Sequence, residues 1–183
     1  ATLAFSAIQN NDKIGVIFFS DRIEKFIPPK KGRKHILYII RELLDFKPES
    51  TRTNIQCAIE YLTNVLKKRC TAFMLSDFID ERDFQNALTI ANRKHDVVAL
   101  QVYDRRLEEL PDVGLMKVKD AETGHEQWID TSSKALRNAH HEWWKARQQK
   151  LHDIFTHSNV DSVSVRTDQD YVKALLNLFA KRN

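Results

Sequence analysis

Four short runs rich in Val, Ile and Phe, at Ile14–Phe19, Ala72–Leu75, Val97–Tyr103 and Val160–Val165, constrain this chain more than any other feature. Each is near-continuously apolar or follows a charged lead-in, the pattern of a strand covered on both faces. Between them apolar residues recur at the helical period. Ile36, Ile40, Leu43 and Leu44 make one face; Ile55, Ile59, Leu62, Val65 and Leu66 make a second; Phe84, Leu88 and Ala91 make a third; and Val172, Leu175, Leu176 and Phe179 make the last. Strands alternating with helices of this length predict a mainly parallel sheet with helices on both faces, a doubly wound α/β domain.

Two hairpins decorate that frame. Arg22–Ile27 follows Ile14–Phe19 across Ser20 and Asp21, which predicts an antiparallel strand at the sheet edge, stopped by Pro28 and Pro29. Leu115–Lys119 and His125–Ile129 flank a turn from Ala121 to Gly124. A long helix is predicted from about Ser133 to Phe155, its apolar stripe carried by Leu136, Ala139, Trp143, Ala146, Lys150 or Leu151, and Ile154.

With 183 residues, 42% of them hydrophobic and 30% charged, the chain can bury one core and is neither disordered nor of low complexity. No repeat or linker divides it, so residues 1–183 are expected to form a single domain. The only glycines, Gly15, Gly32, Gly114 and Gly124, lie too far apart for a dinucleotide-binding turn or a phosphate loop. Against 29 basic residues stand 25 acidic ones, and a net charge of +4 is small for a dedicated nucleic-acid binder. Cys57 and Cys70 have no metal-ligand spacing, and a chain of this length needs no disulfide, so a reducing cytoplasm is expected. No apolar run approaches the roughly 18 residues of a membrane span, so a soluble piece is expected.

In an open parallel sheet ligands bind beyond the carboxyl ends of the strands. That rim should hold Ser20 and Asp21, Ser76 and Asp77, Asp104, and the loop from Lys47 to Asn54 with Ser50, Thr51 and Thr53. Hydroxyls and carboxylates without thiol or imidazole suit a hard cation such as Mg²⁺. The competing reading is helix capping, by Asp77, Asp80 or Asp83 for the helix that follows them and by Thr53 for its own.

The order DKIGVIFFSDRIEKFIPPKKG, STRTNIQCAIEYL, FMLSDFIDERDFQNAL and KHDVVALQVYDRRLEELPDVGLMKVKDAETG resembles the von Willebrand factor A-like domain of a bacterial family of unknown function, associated with MoxR-type AAA+ ATPases. The likeness covers nearly the whole chain and is most specific from Leu75 through Gly124. It implies a metal-ion-dependent adhesion site built from a D-x-S-x-S after the first strand, a Thr in a second loop and an Asp in a third. Thr53 matches the second position and Asp77 the third. The D-x-S-x-S is missing, and the hydroxyls after Asp161, at Ser162 and Ser164, have other offsets. Ala1–Gln9 resembles the helix that follows the motif strand, so the resemblance implies a fragment that lacks this strand. Ile14–Phe19 and Ala72–Leu75 would then keep edges free to pair with each other or with another chain, a route to self-association.

What the resemblance implies of function is a non-enzymatic protein-interaction module, working with a MoxR-type AAA+ ATPase in complex assembly or maturation. A carboxylate of the partner would complete the coordination of Mg²⁺ at Thr53 and Asp77, with Asp104 and Ser76 supporting them. Two side-chain ligands are too few to hold the ion firmly, so no tightly bound metal is expected in this piece. The rival is a nucleic-acid or other anion site on the basic run Lys30, Lys31, Arg33, Lys34 and His35, with Arg52 near it. No aromatic residue interleaves that run to stack bases. His140 and His141 diverge by about 100° on a helix, and His152 and His157 lie too far along it to close a zinc site. Trp143 and Trp144 point to different sides, one to the core and one outward. Neither a G-x-S-x-G elbow nor an activated thiol is present, so no enzyme is expected.

Overall fold

A computed structural model describes residues 2–182; Ala1 and Asn183 lie outside the described residues. The elements run α1 (Thr2–Gln9), β1 (Ile14–Phe19), β2 (Ile23–Lys30), α2 (Arg33–Asp45), α3 (Ile55–Val65), β3 (Thr71–Ser76), α4 (Gln85–Lys94) and β4 (Asp96–Tyr103). They continue with α5 (Arg105–Glu108), β5 (Leu115–Lys119), β6 (Glu126–Asp130), α6 (Lys134–His157), β7 (Asp161–Arg166) and α7 (Tyr171–Ala180).

β3, β4 and β7 form a three-stranded parallel sheet with β4 in the centre. The period of two along β4 divides the core. Val97 and Ala99 meet Ile55 and Ile59 of α3, Leu88 and Ala91 of α4, and Leu151, Ile154 and Phe155 of α6. Val98 and Leu100 face the other way, onto Leu175 and Leu178 of α7 and Leu3 of α1. Helices therefore cover both faces, and the mixed α/β frame is the one that the alternation of runs predicts.

Three expectations need correction. Ile14–Phe19 is not a strand of the parallel sheet: among the described residues it bonds only to β2, as an antiparallel hairpin, and β5 with β6 makes a second hairpin. A two-residue connection through Ser20 and Asp21 makes antiparallel pairing local, whereas parallel pairing with β3 needs a register contact that the described residues do not make. Nor do Pro28 and Pro29 stop β2, since Lys30 still pairs with Ile14. The register shifts between Ile14 and Val16, so the two prolines sit in a bulge opposite Gly15, where their missing N–H groups break no ladder bond.

The helical faces are also turned from their predicted positions. α2 buries Ile36 and Ile39, while Leu43 and Leu44 are 52% and 81% exposed. α6 buries Trp144, Leu151, Ile154 and Phe155, and leaves Trp143, Ala146 and Lys150 outside. α7 buries Leu175 and Leu178 and sets the Phe179 ring edge-on against Phe73 of β3, with Val172 and Leu176 on its open side. A stripe read from apolar spacing shows that a helix has a face; which neighbouring column is covered depends on what lies across from it.

Candidate functional site

Two loops meet beyond the carboxyl ends of β1 and β3, and both are held by carboxylates of the chain itself. Asp80 Oδ2 accepts from the Ile55 backbone N–H at 2.9 Å, and its Oδ1 accepts from the Arg82 N–H at 3.0 Å. Asp80 thus caps α3, a helix far upstream of it, rather than the helix that follows. Arg82 Nη1 donates to the Thr53 carbonyl at 2.7 Å, which locks the Thr53 loop onto the Asp77–Arg82 loop. The cap of α3 within its own sequence is Asn54, whose Oδ1 accepts from Cys57 N–H at 3.0 Å, and not Thr53. Asp83 Oδ1 accepts from Gln85 N–H at 2.9 Å at the start of α4, as the capping reading expects.

Asp77 caps no helix. Its Oδ1 accepts from Ile79 N–H at 3.0 Å in a local turn and its side chain stays exposed. The turn is shaped by Phe78, buried with φ +56, whose carbonyl accepts from Arg147 Nη2 of α6 at 3.1 Å. Behind it, Gln101 Nε2 of β4 donates to the Asp77 carbonyl at 3.3 Å. Thr53 is half-buried and Asp77 exposed, so the structure brings both residues to one end of the molecule on interlocked loops.

Ser20 and Asp21 belong to the same rim. Ser20 is buried and donates through Oγ to Glu24 Oε1 at 2.6 Å, while its carbonyl accepts from Asn54 N–H at 2.9 Å. Glu24 also accepts from the backbone N–H groups of Glu49 and Ser50, each at 3.2 Å. The Ser20 hydroxyl first, with those backbone donors, holds the Glu24 carboxyl below its ordinary range. The Ser50 hydroxyl beside Asp21 does the same there, aided by the Arg22 charge. Both carboxylates thus stay ionised to lower pH than usual. Ser76 Oγ accepts from Phe78 N–H, and Asp104 caps the short α5 through Arg106 N–H at 2.8 Å, so these two shape loops. Thr51 Oγ1 donates to the Glu122 carbonyl at 2.7 Å, drawing the tip of the β5–β6 hairpin to the rim.

The donor set is hard oxygen throughout, the kind that suits Mg²⁺. Among the described residues no three His, Cys, Asp or Glu side chains gather at metal-binding distance. Thr53 and Asp77 therefore fit an ion only as part of a larger ligand set. Glu24, Arg82 and Gln101, which help to organise the rim, carry no signal in the sequence. Asp80 carried a signal as a capping residue, but its partner 25 positions upstream was not legible.

The family model for proteins of unknown function DUF58 matches residues 1–150. The chain belongs to the DUF58 family. Uncharacterised proteins of Mycobacterium tuberculosis and Mycobacterium bovis are each 26% identical to it over 186 residues, covering 100% of this chain and 58% of theirs. An uncharacterised protein of Mycobacterium avium is 27% identical over 160 residues, covering 85% of this chain and 93% of its own. This DUF58 chain thus spans 58% of the length of the first two relatives. Among solved structures, an aerotolerance-related membrane protein from Bacteroides fragilis matches with a TM-score of 0.59 at 16% identity, covering 98% of this chain and 86% of that one. The conserved hypothetical protein BatB from Bacteroides thetaiotaomicron matches with a TM-score of 0.54 at 17% identity, covering 98% and 84%. Likeness at that identity concerns the fold. No helix among the described residues is long and apolar enough to cross a membrane.

Proposed function

We propose that this DUF58 chain is a non-enzymatic, von Willebrand A-like interaction module that binds a MoxR-type AAA+ ATPase through its rim, in complex assembly or maturation. The observation that carries the reading is the interlock of the two loops by Asp80 and Arg82, which holds Thr53 and Asp77 at one end of the fold. In this reading Thr53 Oγ1 and the Asp77 carboxylate supply two oxygen ligands to Mg²⁺, and the full-length protein and an acidic side chain of the ATPase supply the others. The ion would give a Lewis-acidic point for that carboxylate. The chain's own residues do the positioning: Gln101 and Arg147 hold the Asp77–Asp80 backbone, and Arg82 holds Thr53. Ser76 and Asp104 shape the adjoining turns, and the cytoplasm supplies the ion and the partner.

The test is capture of the ATPase by the full-length protein with Mg²⁺ and with EDTA. Asp77→Ala should abolish capture to the same extent as EDTA while leaving the melting temperature within a few degrees, because it removes an exposed turn acceptor worth about 1 kcal/mol. Capture unchanged by both treatments would refute the metal-bridged reading.

One observation favours anion binding as the second reading. Lys30, Lys31, Arg33 and Lys34 are all exposed, and among the described residues none of them forms an ion pair. They flank the start of α2, where Gly32, at φ 100, offers no side-chain cap to the free N–H groups. Changing the four to Glu should remove any DNA or RNA binding, and that binding should fall steeply with salt.

A further inference from the structure

Along α2 the chain turns two kinds of side chain outward together. Ile36 and Ile39 carry the helix onto the fold. On the opposite side Lys34, Leu37, Arg41 and Leu44 fall within an arc of about 80° at the helical period, with Tyr38 beside them. Leu37 is 48% exposed and Leu44 81%, and Tyr38 is open as well. Lys30, Lys31, Arg33 and Lys34 stand at the N-terminal end of this face, and Lys13 precedes Ile14, the residue that pairs with Lys30.

The acids nearby are few and mostly committed. Glu42 pairs with Lys25 of β2, and Asp45, which lies on the outer side of the helix, pairs with Arg41 at 3.5 Å. One further carboxylate, Asp12, adjoins Lys13 in the loop before β1. Among the described residues Lys13, Lys30, Lys31, Arg33 and Lys34 form no ion pair, so this end of the molecule stays positive with Asp12 included, although the whole chain carries only +4.

We propose that the outer face of α2 docks on an anionic lipid bilayer, with Leu37, Tyr38 and Leu44 in the interfacial layer and Lys30, Lys31, Arg33 and Lys34 over the lipid phosphates. Exposed cations beside two aliphatic side chains complement a surface that is negative outside and apolar about 5–10 Å below. Lys and Arg reach back to the phosphates along their aliphatic stems, and a tyrosine ring suits the boundary between the two layers. A nucleic acid would answer the cations and leave Leu37 and Leu44 in water. The face borders neither the cleft between α3 and α4 nor the one between α6 and β4, so neither offers a groove for a peptide beside it. The inference rests on the same cations as the anion reading and assigns them one occupant.

The test follows amide exchange over residues 33–45 of the full-length protein, which reads α2 itself. The probes are vesicles of phosphatidylglycerol and phosphatidylcholine in about equal parts, vesicles of phosphatidylcholine alone, and single- and double-stranded oligonucleotides. Exchange should slow saturably with the anionic vesicles and need at least about tenfold more lipid with phosphatidylcholine alone. Leu37→Ser with Leu44→Ser should raise the half-maximal lipid concentration at least about tenfold, while Leu37→Phe with Leu44→Phe should keep it. Changing Lys30, Lys31, Arg33 and Lys34 to Glu should raise it at least about a hundredfold. Both leucines are exposed, so the Ser pair should melt as the parent does; if it does not, the Phe pair and the charge reversal decide. The Ser pair should still capture the ATPase with Mg²⁺, so failure of the rim reading and failure of this one are separate results. Equal protection by phosphatidylcholine, a Ser pair that folds and binds vesicles as the parent does, or protection by oligonucleotides without protection by vesicles would overturn the proposal, and the last of these would leave the anion reading standing.

Discussion

Asp80 is the residue on which the rim's geometry turns, because it satisfies two backbone donors on different segments, Ile55 N–H and Arg82 N–H. Asp80→Ala leaves the first turn of α3 without this acceptor and frees the loop that carries Arg82. The expected loss is about 1–2 kcal/mol, or roughly 2–8 °C in melting temperature, whereas Asp83→Ala, which relieves only Gln85 N–H, should cost about half as much. Thermal unfolding of the two variants side by side decides it; equal melting would mean that water replaces the Asp80 contacts. His95 makes a second case. Its side chain is fully buried beside Cys70, with Nδ1 3.5 Å from Sγ and Nε2 without a partner among the described residues. Burial first, then the Lys94 and Arg69 charges, holds its pKa below the ordinary 6.5. The unfolded chain therefore binds a proton at His95 at higher pH than the folded one does. Stability from this residue is complete above about pH 6.5 and falls as the pH drops below it. Chemical unfolding at about pH 7.5 and about pH 5.5 should show the decline, and His95→Gln should flatten it. The rim carboxylates Asp21 and Glu24 lose their contribution only at lower pH, as it falls through their own depressed values, so the two windows separate.

At the scale of elements, α6 shows how a helix chooses its face. Trp143 and Trp144 are adjacent, yet Trp144 is 3% exposed against Tyr103 while Trp143 is 46% exposed with Arg147 above its ring. Trp144→Ala should cost about 3–5 kcal/mol by opening a cavity between α6 and β4. Trp143→Ala should cost about 1 kcal/mol or less, the worth of an exposed cation–π contact. Urea unfolding of each variant checks the pair, and a reversed order would mean that α6 is turned on the sheet. Apolar spacing marks α6 from about Ser133 onward, and the adjacency of Trp143 and Trp144 requires that only one of them turn inward. That spacing puts the stripe on Trp143, because Leu136, Ala139 and Ala146 share its column, but these residues line no deep core. The same reason explains α2, where Leu43 and Leu44 look like a core face but Ile36 and Ile39 are the residues buried, and His35 and Glu42 tie the helix to the β1–β2 hairpin through the Ile14 carbonyl and Lys25.

The whole molecule is organised around β4, whose neighbours β3 and β7 pair with it in parallel, while the β1–β2 and β5–β6 hairpins stand as separate antiparallel pairs. Among the described residues β1 and β3 each keep one edge without a strand partner, and Leu75 on β3 is 57% exposed. Unpaired edges with apolar side chains promote pairing between chains. The chain of residues 1–183 should therefore associate as its concentration rises, and Leu75→Lys should suppress this in sedimentation velocity; a variant that associates as strongly as the original would place the contact elsewhere.

Local chemistry was enough to locate every strand and the major helices, because β-branched runs and a 3.6-residue apolar period record what each segment can do alone. It was enough, too, to bring Ser20, Asp21, Thr53, Asp77 and Asp104 to loops that follow strands or precede helices. The tertiary structure decided which strands pair, which helical column is covered, and that Asp80 and Arg82 hold the Thr53 loop. Those outcomes depend on contacts between segments tens of residues apart, such as Asp80 with Ile55 and Gln101 with Asp77, and the energy of such a contact belongs to neither segment until the fold brings the two together.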